Sequence, residues 1–301
     1  MGKHTTRLTL MNKFKTSQFR YDGKTPYKHK TTPTRVEPFY KDEADRAAQL
    51  DALSERMDQA QNRMHAAEQY GVVVLFQAMD AGGKDSSIRH VFKGVNPSRF
   101  QVAAFKKPGK EDLAHDYLWR FWKRLPERGY IGIFNRTYYE EVLALKVHPE
   151  RLDEGNIPGE LTKNLDKLWK ERYADIAHFE NYLFRNGFRV VKFYLHVAKE
   201  EQGQRLIARL SDEEKQWKLS ENDLQERQDW EAYMQAYEDA INATATPHAP
   251  WYVIPSDDRP NQQLIIAHIM AELLEAIPAE FPERDDTEAK RLIREIEKQD
   301  S

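Results

Sequence analysis

An α/β fold built on roughly five parallel strands is what this sequence predicts, and two observations carry that prediction. Short runs rich in Val, Ile and Phe, typical of strands buried on both faces of a parallel sheet, alternate with longer amphipathic segments. The clearest run, residues 72–76, leads through a glycine-containing loop into a helical segment. Because strands that alternate with helices form parallel sheets, we expect one sheet flanked by helices.

The elements can be placed in order along the chain. Apolar residues at intervals of three or four predict a long helix over 47–67, which we expect Gly71 to end. Strands are predicted at 72–76, 100–105, 130–134, 189–197 and 251–254. Further helices are predicted at 112–124, 161–186, 199–210, 230–242 and 264–277.

No internal repeat or low-complexity linker divides the chain, so we expect one domain, 36–278, with two extensions. Residues 1–35 hold nine Lys or Arg and one acid, a net charge of +8. This basic arm lacks apolar periodicity, so we expect it to contribute little to the core and either to stay solvated or to collect a polyanion. Residues 279–301 form a charged extension, with a short helix predicted behind the capping pair Asp285 and Glu288.

Composition excludes several classes of protein. The chain has 46 Lys and Arg against 49 Asp and Glu, a formal net charge of −3, which argues against a globally basic nucleic-acid coat. It has no Cys, which excludes disulfide frameworks, thiolate nucleophiles and Cys zinc sites. No stretch has the apolar length to cross a bilayer, and residues 1–30 lack the apolar block of a secretion signal. We therefore expect a cytoplasmic protein that neither binds membranes nor reads a nucleic-acid sequence.

The loop after the first buried run is a variant phosphate-binding loop. Gly82 and Gly83 let consecutive backbone N–H groups curl around phosphate oxygens, and Lys84 adds a point charge. Ala78 and Asp85 stand where the usual pattern has Gly and Ser or Thr. The alternative is a glycine turn that only opens a helix, with Lys84 in solvent.

Asp80 adds a carboxylate to this anion-binding loop. Phosphate would repel that carboxylate unless a divalent cation bridges the two, which indicates Mg²⁺ at the loop, with Mn²⁺ as a substitute. A turn-forming Asp is the alternative.

A second polar run, Asn135, Arg136 and Glu140, follows the strand at 130–134. Ligands of parallel sheets bind at the carboxyl ends of the strands, so these side chains are expected to face the loop. Asn135 can hold metal-bound water and Arg136 can neutralise charge on a transferring phosphoryl group. The alternative is a helix N-terminus with surface acids.

Further candidate phosphate ligands are cations elsewhere in the chain. Arg205 and Arg209 lie one helical turn apart, and with Lys215 and Lys218 they suggest a lid at about 205–230 that grips phosphates. A solvated helix with ion pairs between residues i and i+4 fits that spacing equally well. Arg120, among aromatic residues, can reach a nucleotide phosphate.

Taken in order, these motifs resemble the family 2 polyphosphate kinases across roughly residues 36–278. The resemblance rests on residues 80–85, 115–120, 134–136 with Tyr139 and Glu140, Trp217 and Lys218 with Asp223, and 249–251. It implies a P-loop kinase fold like that of thymidylate kinase, with a helical lid. It also implies an Mg²⁺-dependent enzyme that moves a phosphoryl group between inorganic polyphosphate and a nucleotide.

The resemblance also implies roles for individual residues. Asp80 would position Mg²⁺ and the accepting phosphate, Lys84 the polyphosphate, and Arg136 both substrates. Lid cations such as Arg209 and Lys218 would close over them. The residues expected to complete the phosphate and metal site are Gly82, Gly83, Asp85, Ser86 and Asn135.

Two features of the resemblance bear on substrates. The pairing of Asn135 with Glu140 resembles the subgroup that accepts AMP as well as ADP. Relatives often place a basic residue near the start of the last helix, where this chain reads Arg-Pro-Asn-Gln-Gln at 259–263, so a weaker grip on long polyphosphate is expected.

We expect adenine nucleotides as substrates, with guanine nucleotides left open, and a homo-oligomer. An ATP-dependent nucleotide kinase of thymidylate-kinase type and a non-catalytic nucleotide- or polyphosphate-binding protein are the alternatives.

Overall fold

The computed structural model describes residues 14–214, 221–283 and 286–299. Its centre is a six-stranded sheet in the order β1-β6-β5-β2-β4-β3. The strands are β1 (Arg20–Tyr21), β2 (Gly71–Gln77), β3 (Phe100–Ala104), β4 (Ile131–Asn135), β5 (Phe188–His196) and β6 (Trp251–Pro255). β1 pairs antiparallel with β6, and the remaining neighbours pair in parallel. The five predicted strands are confirmed, each end within one residue, and β1 is an unpredicted sixth.

Helices pack on both faces of this sheet. The described helices are α1 (Glu43–Ala67), α2 (Lys84–Val91), α3 (Lys110–Leu113), α4 (Trp119–Trp122), α5 (Ala144–Val147), α6 (Gly159–Thr162), α7 (Leu165–Arg185), α8 (Lys199–Leu210), α9 (Glu221–Gln228), α10 (Trp230–Thr244), α11 (Arg259–Glu275) and α12 (Asp286–Gln299). Val73 and Leu75 of β2 point into one apolar core, while Val72, Val74 and Phe76 point into the other. This burial on both faces explains the uninterrupted apolar run.

Some predicted helix ends are wrong because local hydrogen bonds decide them. α1 ends at Ala67 as predicted but begins at Glu43, earlier than predicted, because the Asp42 side chain accepts the Asp45 N–H at 2.8 Å. Its C-cap is Glu68, with a left-handed φ of 50°, rather than Gly71, which belongs to β2. The helix predicted at 112–124 is two short helices, because the Asp116 carboxylate accepts the Leu118 N–H at 2.9 Å and starts a new turn.

Caps likewise set the starts of two long helices. α7 begins at Leu165, later than predicted, because the Asn164 side chain accepts the Lys167 N–H at 3.0 Å. α11 begins at Arg259, earlier than predicted, behind the N-cap Asp258.

The basic arm is part of the fold from residue 14 onward. Phe19 is buried, Tyr27 is fully buried, and β1 extends the sheet. The side chain of Asn242 accepts the Tyr27 N–H at 2.7 Å and donates to the Tyr27 carbonyl at 3.0 Å. The expectation that the arm adds little to the core is therefore wrong for residues 14–35, because its aromatic side chains pack singly and leave no periodic signal.

The C-terminal extension forms α12, none of whose residues is buried. The predicted capping residue Asp285 lies outside the described residues. Within the described ranges, no helix combines the length and apolar content needed to span a membrane.

Candidate functional site

The loop between β2 and α2 has the local geometry that its glycines predict. A Cβ on Gly82 would lie 2.6 Å from the Ala78 Cβ and 2.8 Å from the Met79 carbonyl oxygen, so a larger residue does not fit. Gly83 has a φ of 103°, which favours glycine. α2 begins immediately afterwards at Lys84, so its unpaired N–H groups face the loop.

Lys84 and Asp80 form the charged centre of this loop. The Lys84 Nζ donates to the Ala78 carbonyl at 2.8 Å, and Asp80 Oδ1 lies 2.9 Å from Nη2 of Arg136. Burial alone would raise the pKa of Asp80, but the cations of Lys84 and Arg136 hold it below its ordinary value. Burial lowers the pKa of Lys84, opposed by Asp80. The structure thus brings together three of the predicted catalytic residues.

Arg136 and Glu140 enter the site from the end of β4. Arg136 takes a left-handed φ of 59°, which turns the chain directly after the strand. Thr137 then caps a 3₁₀ turn over Tyr138–Glu141, its Oγ1 accepting the Tyr139 N–H at 3.1 Å. Burial raises the pKa of Glu140, although Arg136 and Lys84 act against it. Two carboxyl groups of the site, Asp80 and Glu140, are therefore shifted in opposite directions.

Asn135 and Ser86 each form a hydrogen bond with another side chain near the start of α2. The Asn135 amide donates to Asp85 Oδ1 at 2.5 Å, and Ser86 Oγ accepts from Gln263 Nε2 at 3.1 Å. The neighbouring Gln262 donates to Ser87 Oγ at 3.1 Å. Gln262 and Gln263 of α11 thus anchor the first turn of α2.

Arg205 is held next to the loop by several protein partners, and its role as a phosphate ligand stays a prediction. Its buried guanidinium donates to the Ser256 carbonyl at 2.5 Å and to the Gly82 carbonyl at 3.4 Å, and its Nε binds Glu201 at 2.8 Å. Arg205 therefore stabilises the loop by donating to the backbone carbonyl of Gly82.

The remaining predicted cations are placed as follows. The charge of Arg209 reaches Asp80 and favours its ionised form. Arg120 donates to the Lys106 carbonyl at 2.8 Å and lies 3.6 Å from Asp112. Lys215 and Lys218 lie outside the described residues.

A cavity of about 1140 Å³ opens beside the loop. Asp80, Arg136 and Glu140 line it together, and Arg120 also lines it. Its wall includes two tyrosines that sequence reasoning missed, Tyr233 and Tyr237, although their i, i+4 spacing on α10 was a usable signal. The volume exceeds that of most small-molecule pockets, which fall at roughly 300–1,000 Å³.

The oxygen donors of this site suit a magnesium ion that shares its ligands with phosphate. Among the described residues, no group of three or more His, Cys, Asp or Glu side chains could hold a metal unaided. Mg²⁺ in proteins is commonly bound by one or two carboxylates plus water and substrate phosphates. Asp80, with its lowered pKa, provides such a carboxylate beside the phosphate loop.

Gln77, which the sequence analysis did not single out, links the end of β2 to the segment after β4. Gln77, fully buried at the end of β2, donates from Nε2 to Thr137 Oγ1 at 3.0 Å. The sequence offers a signal for this residue, because Gln77 is polar and directly follows the apolar run at 72–76.

Comparison with known proteins agrees with this geometry. Residues 40–282 match the family described as Polyphosphate kinase 2. An ADP-polyphosphate phosphotransferase of Rhodopseudomonas palustris is 43% identical over 283 residues, which cover 94% of this chain and 97% of that protein. An AMP/ADP-polyphosphate phosphotransferase of Meiothermus ruber is 42% identical over 246 residues, covering 81% of this chain and 86% of that protein. The crystal structure of Polyphosphate Kinase 2 from Arthrobacter aurescens TC1 is similar at a TM-score of 0.81 and 32% identity, over 92% of this chain and 95% of that one.

Proposed function

Because the chain belongs to the polyphosphate kinase 2 family, we propose that it transfers phosphoryl groups between inorganic polyphosphate and adenine nucleotides, with both AMP and ADP as acceptors. The observation that carries the proposal is that Asp80 of the phosphate loop and Arg136, paired at 2.9 Å, both line a cavity of about 1140 Å³, while Lys84 of the same loop donates to the carbonyl of Ala78 in the cavity wall. The cavity offers room for the nucleotide while the loop holds phosphates.

The chemistry of phosphoryl transfer is mainly positioning and charge neutralisation. The backbone N–H groups of the loop and of the start of α2 donate to phosphate oxygens, and Lys84 adds a positive charge beside them. Arg136, oriented by Asp80 at 2.9 Å, can neutralise charge that develops on the transferring group. Mg²⁺ held by Asp80, with Asn135 as a candidate ligand through water and with Mn²⁺ as a substitute, would withdraw further negative charge from that group.

The choice of acceptor rests on two supporting points. The pairing of Asn135 with Glu140 resembles the subgroup that accepts both nucleotides, and the Meiothermus ruber relative is named for both. The test incubates purified protein with polyphosphate, Mg²⁺ and AMP, ADP, GMP or GDP in separate reactions and resolves the nucleotides formed.

The outcomes of that assay separate the alternatives. ADP from AMP and ATP from ADP, without any ATP input, would support the proposal. Turnover that requires ATP as donor would indicate a nucleotide kinase instead. Nucleotide or polyphosphate binding with no turnover at saturating Mg²⁺ would indicate a binding protein.

Arg209→Ala is expected to raise the polyphosphate concentration for half-maximal rate more than it lowers the maximal rate. Arg209 stands in the last turn of α8, and its charge adds to the positive field at Asp80. Initial rates measured against polyphosphate concentration check this. Arg185→Ala, which removes an exposed arginine from the last turn of α7, is the control and should change neither parameter. An equal loss of rate with an unchanged polyphosphate requirement would place Arg209 among the transition-state groups.

We further propose that the arm collects polyphosphate through its charges, and the test must use charge substitutions because deletion would remove buried Tyr27. Changing the exposed Lys15, Lys24 and Lys30 to Gln should slow the reaction with long polyphosphate at low salt. The effect should nearly vanish at high salt, because the Debye length is roughly 10 Å at 0.1 M. Initial rates with long and short chains across a salt series check this, and an equal loss under every condition would contradict it.

Cytoplasmic location and assembly into homo-oligomers stay predictions from the sequence. Size-exclusion chromatography with light scattering measures the second.

A further inference from the structure

α9, which lies within the lid predicted at about 205–230, is linked to the phosphate loop by a partly buried hydrogen-bond relay through α8. Arg227 of α9 donates from Nη1 to the Gln202 side-chain oxygen at 2.5 Å and to the Lys199 carbonyl at 2.7 Å. Gln202 of α8 is buried and donates from Nε2 to the backbone carbonyl of Asp80 at 3.0 Å. The relay therefore runs from α9 through α8 to the residue whose carboxylate holds Arg136.

α9 also reaches Asp80 by a second path. Asp223, one helical turn before Arg227, is buried, and its side chain helps to hold the pKa of Asp80 below its ordinary value. Glu226 of the same helix accepts from Arg151 at 3.0 Å and lies 2.9 Å from His148 Nε2. The helix is thus fixed between the loop and the wall of the cavity, and the Gln202 relay is its contact with the loop backbone.

Both ends of the Gln202 amide are used within the relay, because its oxygen accepts from Arg227 and its nitrogen donates to the Asp80 carbonyl. Both described hydrogen bonds of Arg227 start from Nη1 and end on groups of α8. A lysine in place of Arg227 keeps the charge but not the planar guanidinium that presents Nη1 to these acceptors. These contacts favour a positioning role for Gln202 and Arg227.

We propose that Gln202 and Arg227 are positioning residues that fix the Asp80 backbone, and through it the Asp80–Arg136 pair, for phosphoryl transfer. The inference rests on the proposed function and adds a role for the interior of the lid. Small displacements of a reacting group are costly, since roughly 1 Å of misplacement can lower a rate about a hundredfold. Loss of the relay is therefore expected to lower kcat while leaving both KM values nearly unchanged.

Gly203 allows the relay to be disturbed without removing any of its groups. A Cβ on Gly203 would lie 2.9 Å from Nη2 of Arg227, the mobile end of a long side chain. Gly203→Ala should therefore push the guanidinium away while keeping every charge and donor. The same change raises helix propensity by about 1 kcal/mol, so the variant should not lose thermal stability.

The experiment compares Gly203→Ala with Gly159→Ala, whose Cβ would meet nothing within 4 Å. We expect Gly203→Ala to lower kcat about tenfold, with KM for polyphosphate and nucleotide within twofold of wild type, and Gly159→Ala to match wild type. Gln202→Met and Arg227→Met should show the same split, and Arg227→Lys should recover part of the loss. Amide hydrogen exchange over residues 78–83 should speed up in Gly203→Ala while exchange in β3 does not change.

Three results would overturn the inference. A kcat of Gly203→Ala equal to that of wild type, with exchange of the loop unchanged, would show that the relay positions nothing. A raised KM for polyphosphate at constant kcat would make Arg227 a phosphate ligand. A fall in melting temperature of Gln202→Met and Arg227→Met with normal kcat in the folded fraction would make the relay structural. Wild-type protein without polyphosphate-dependent turnover would instead overturn the proposed function itself, and this inference with it.

Discussion

Lys84→Ala and Asp80→Asn are each expected to lower turnover by about 10²- to 10⁴-fold, which corresponds to about 3 to 5 kcal/mol of transition-state stabilisation. Lys84 is the cation of the phosphate loop, held by the Ala78 carbonyl at 2.8 Å. Its removal takes a preorganised positive charge from the position where phosphate oxygens gather. Asp80→Asn removes the charge that orients Arg136 and would hold Mg²⁺.

Steady-state rates with polyphosphate and each acceptor, at saturating Mg²⁺, measure this effect. Lys170→Ala, which removes an exposed lysine of α7, is the control and should retain wild-type turnover. Melting temperatures of all variants separate a lost charge from a lost fold. Near-normal turnover of well-folded Lys84→Ala or Asp80→Asn would remove the site assignment.

The strands were predictable because the signal for each strand lies within its own residues. A strand buried on both faces carries an unbroken apolar run, and that run starts and stops where the sheet does. Helix ends depend on single capping side chains such as Asn164 and Asp258, whose competing partners a periodicity argument does not weigh. Tyr27 in the arm shows the same limit of a periodicity argument, because a single buried aromatic ring produces no periodic pattern in the sequence.

The candidate site was predictable in those parts where residue type and position in the chain already indicate the ligand. Glycines and a lysine after a buried strand indicate phosphate binding, and the carboxyl ends of neighbouring parallel strands bring Asp80 and Arg136 within 2.9 Å. The partners of Arg205 were only partly predictable, because spacing identifies a helix face without identifying everything that the face touches. The ion pair with Glu201 at i−4 follows from spacing, but backbone carbonyl acceptors such as that of Ser256 have no sequence signature.

Lys192→Met is expected to lower the free energy of unfolding by about 3 to 5 kcal/mol, because it leaves a buried carboxylate without its cation. Lys192 and Glu180 are both buried, with Nζ 2.5 Å from Glu180 Oε2. Lys192 also donates to the Thr244 carbonyl at 2.9 Å, so its loss strands a second acceptor. Urea unfolding measures the change, and the exposed pair Lys167–Glu171 provides the control Lys167→Met, expected to shift stability by less than about 0.5 kcal/mol.

The same buried pair supports the turn that carries Glu140. Glu180 Oε1 accepts from the hydroxyl groups of Tyr138 and Tyr139, each at 2.9 Å, and these tyrosines precede Glu140 in the 3₁₀ turn. Adding Glu180→Leu to Lys192→Met should therefore recover part of the lost stability, because no unpaired charge is left in the core. The double variant should still turn over more slowly than wild type, because Tyr138 and Tyr139 no longer have Glu180 as their acceptor. A double variant no more stable than Lys192→Met would show that packing and the other hydrogen bonds of Lys192, rather than the stranded charge, dominate its contribution.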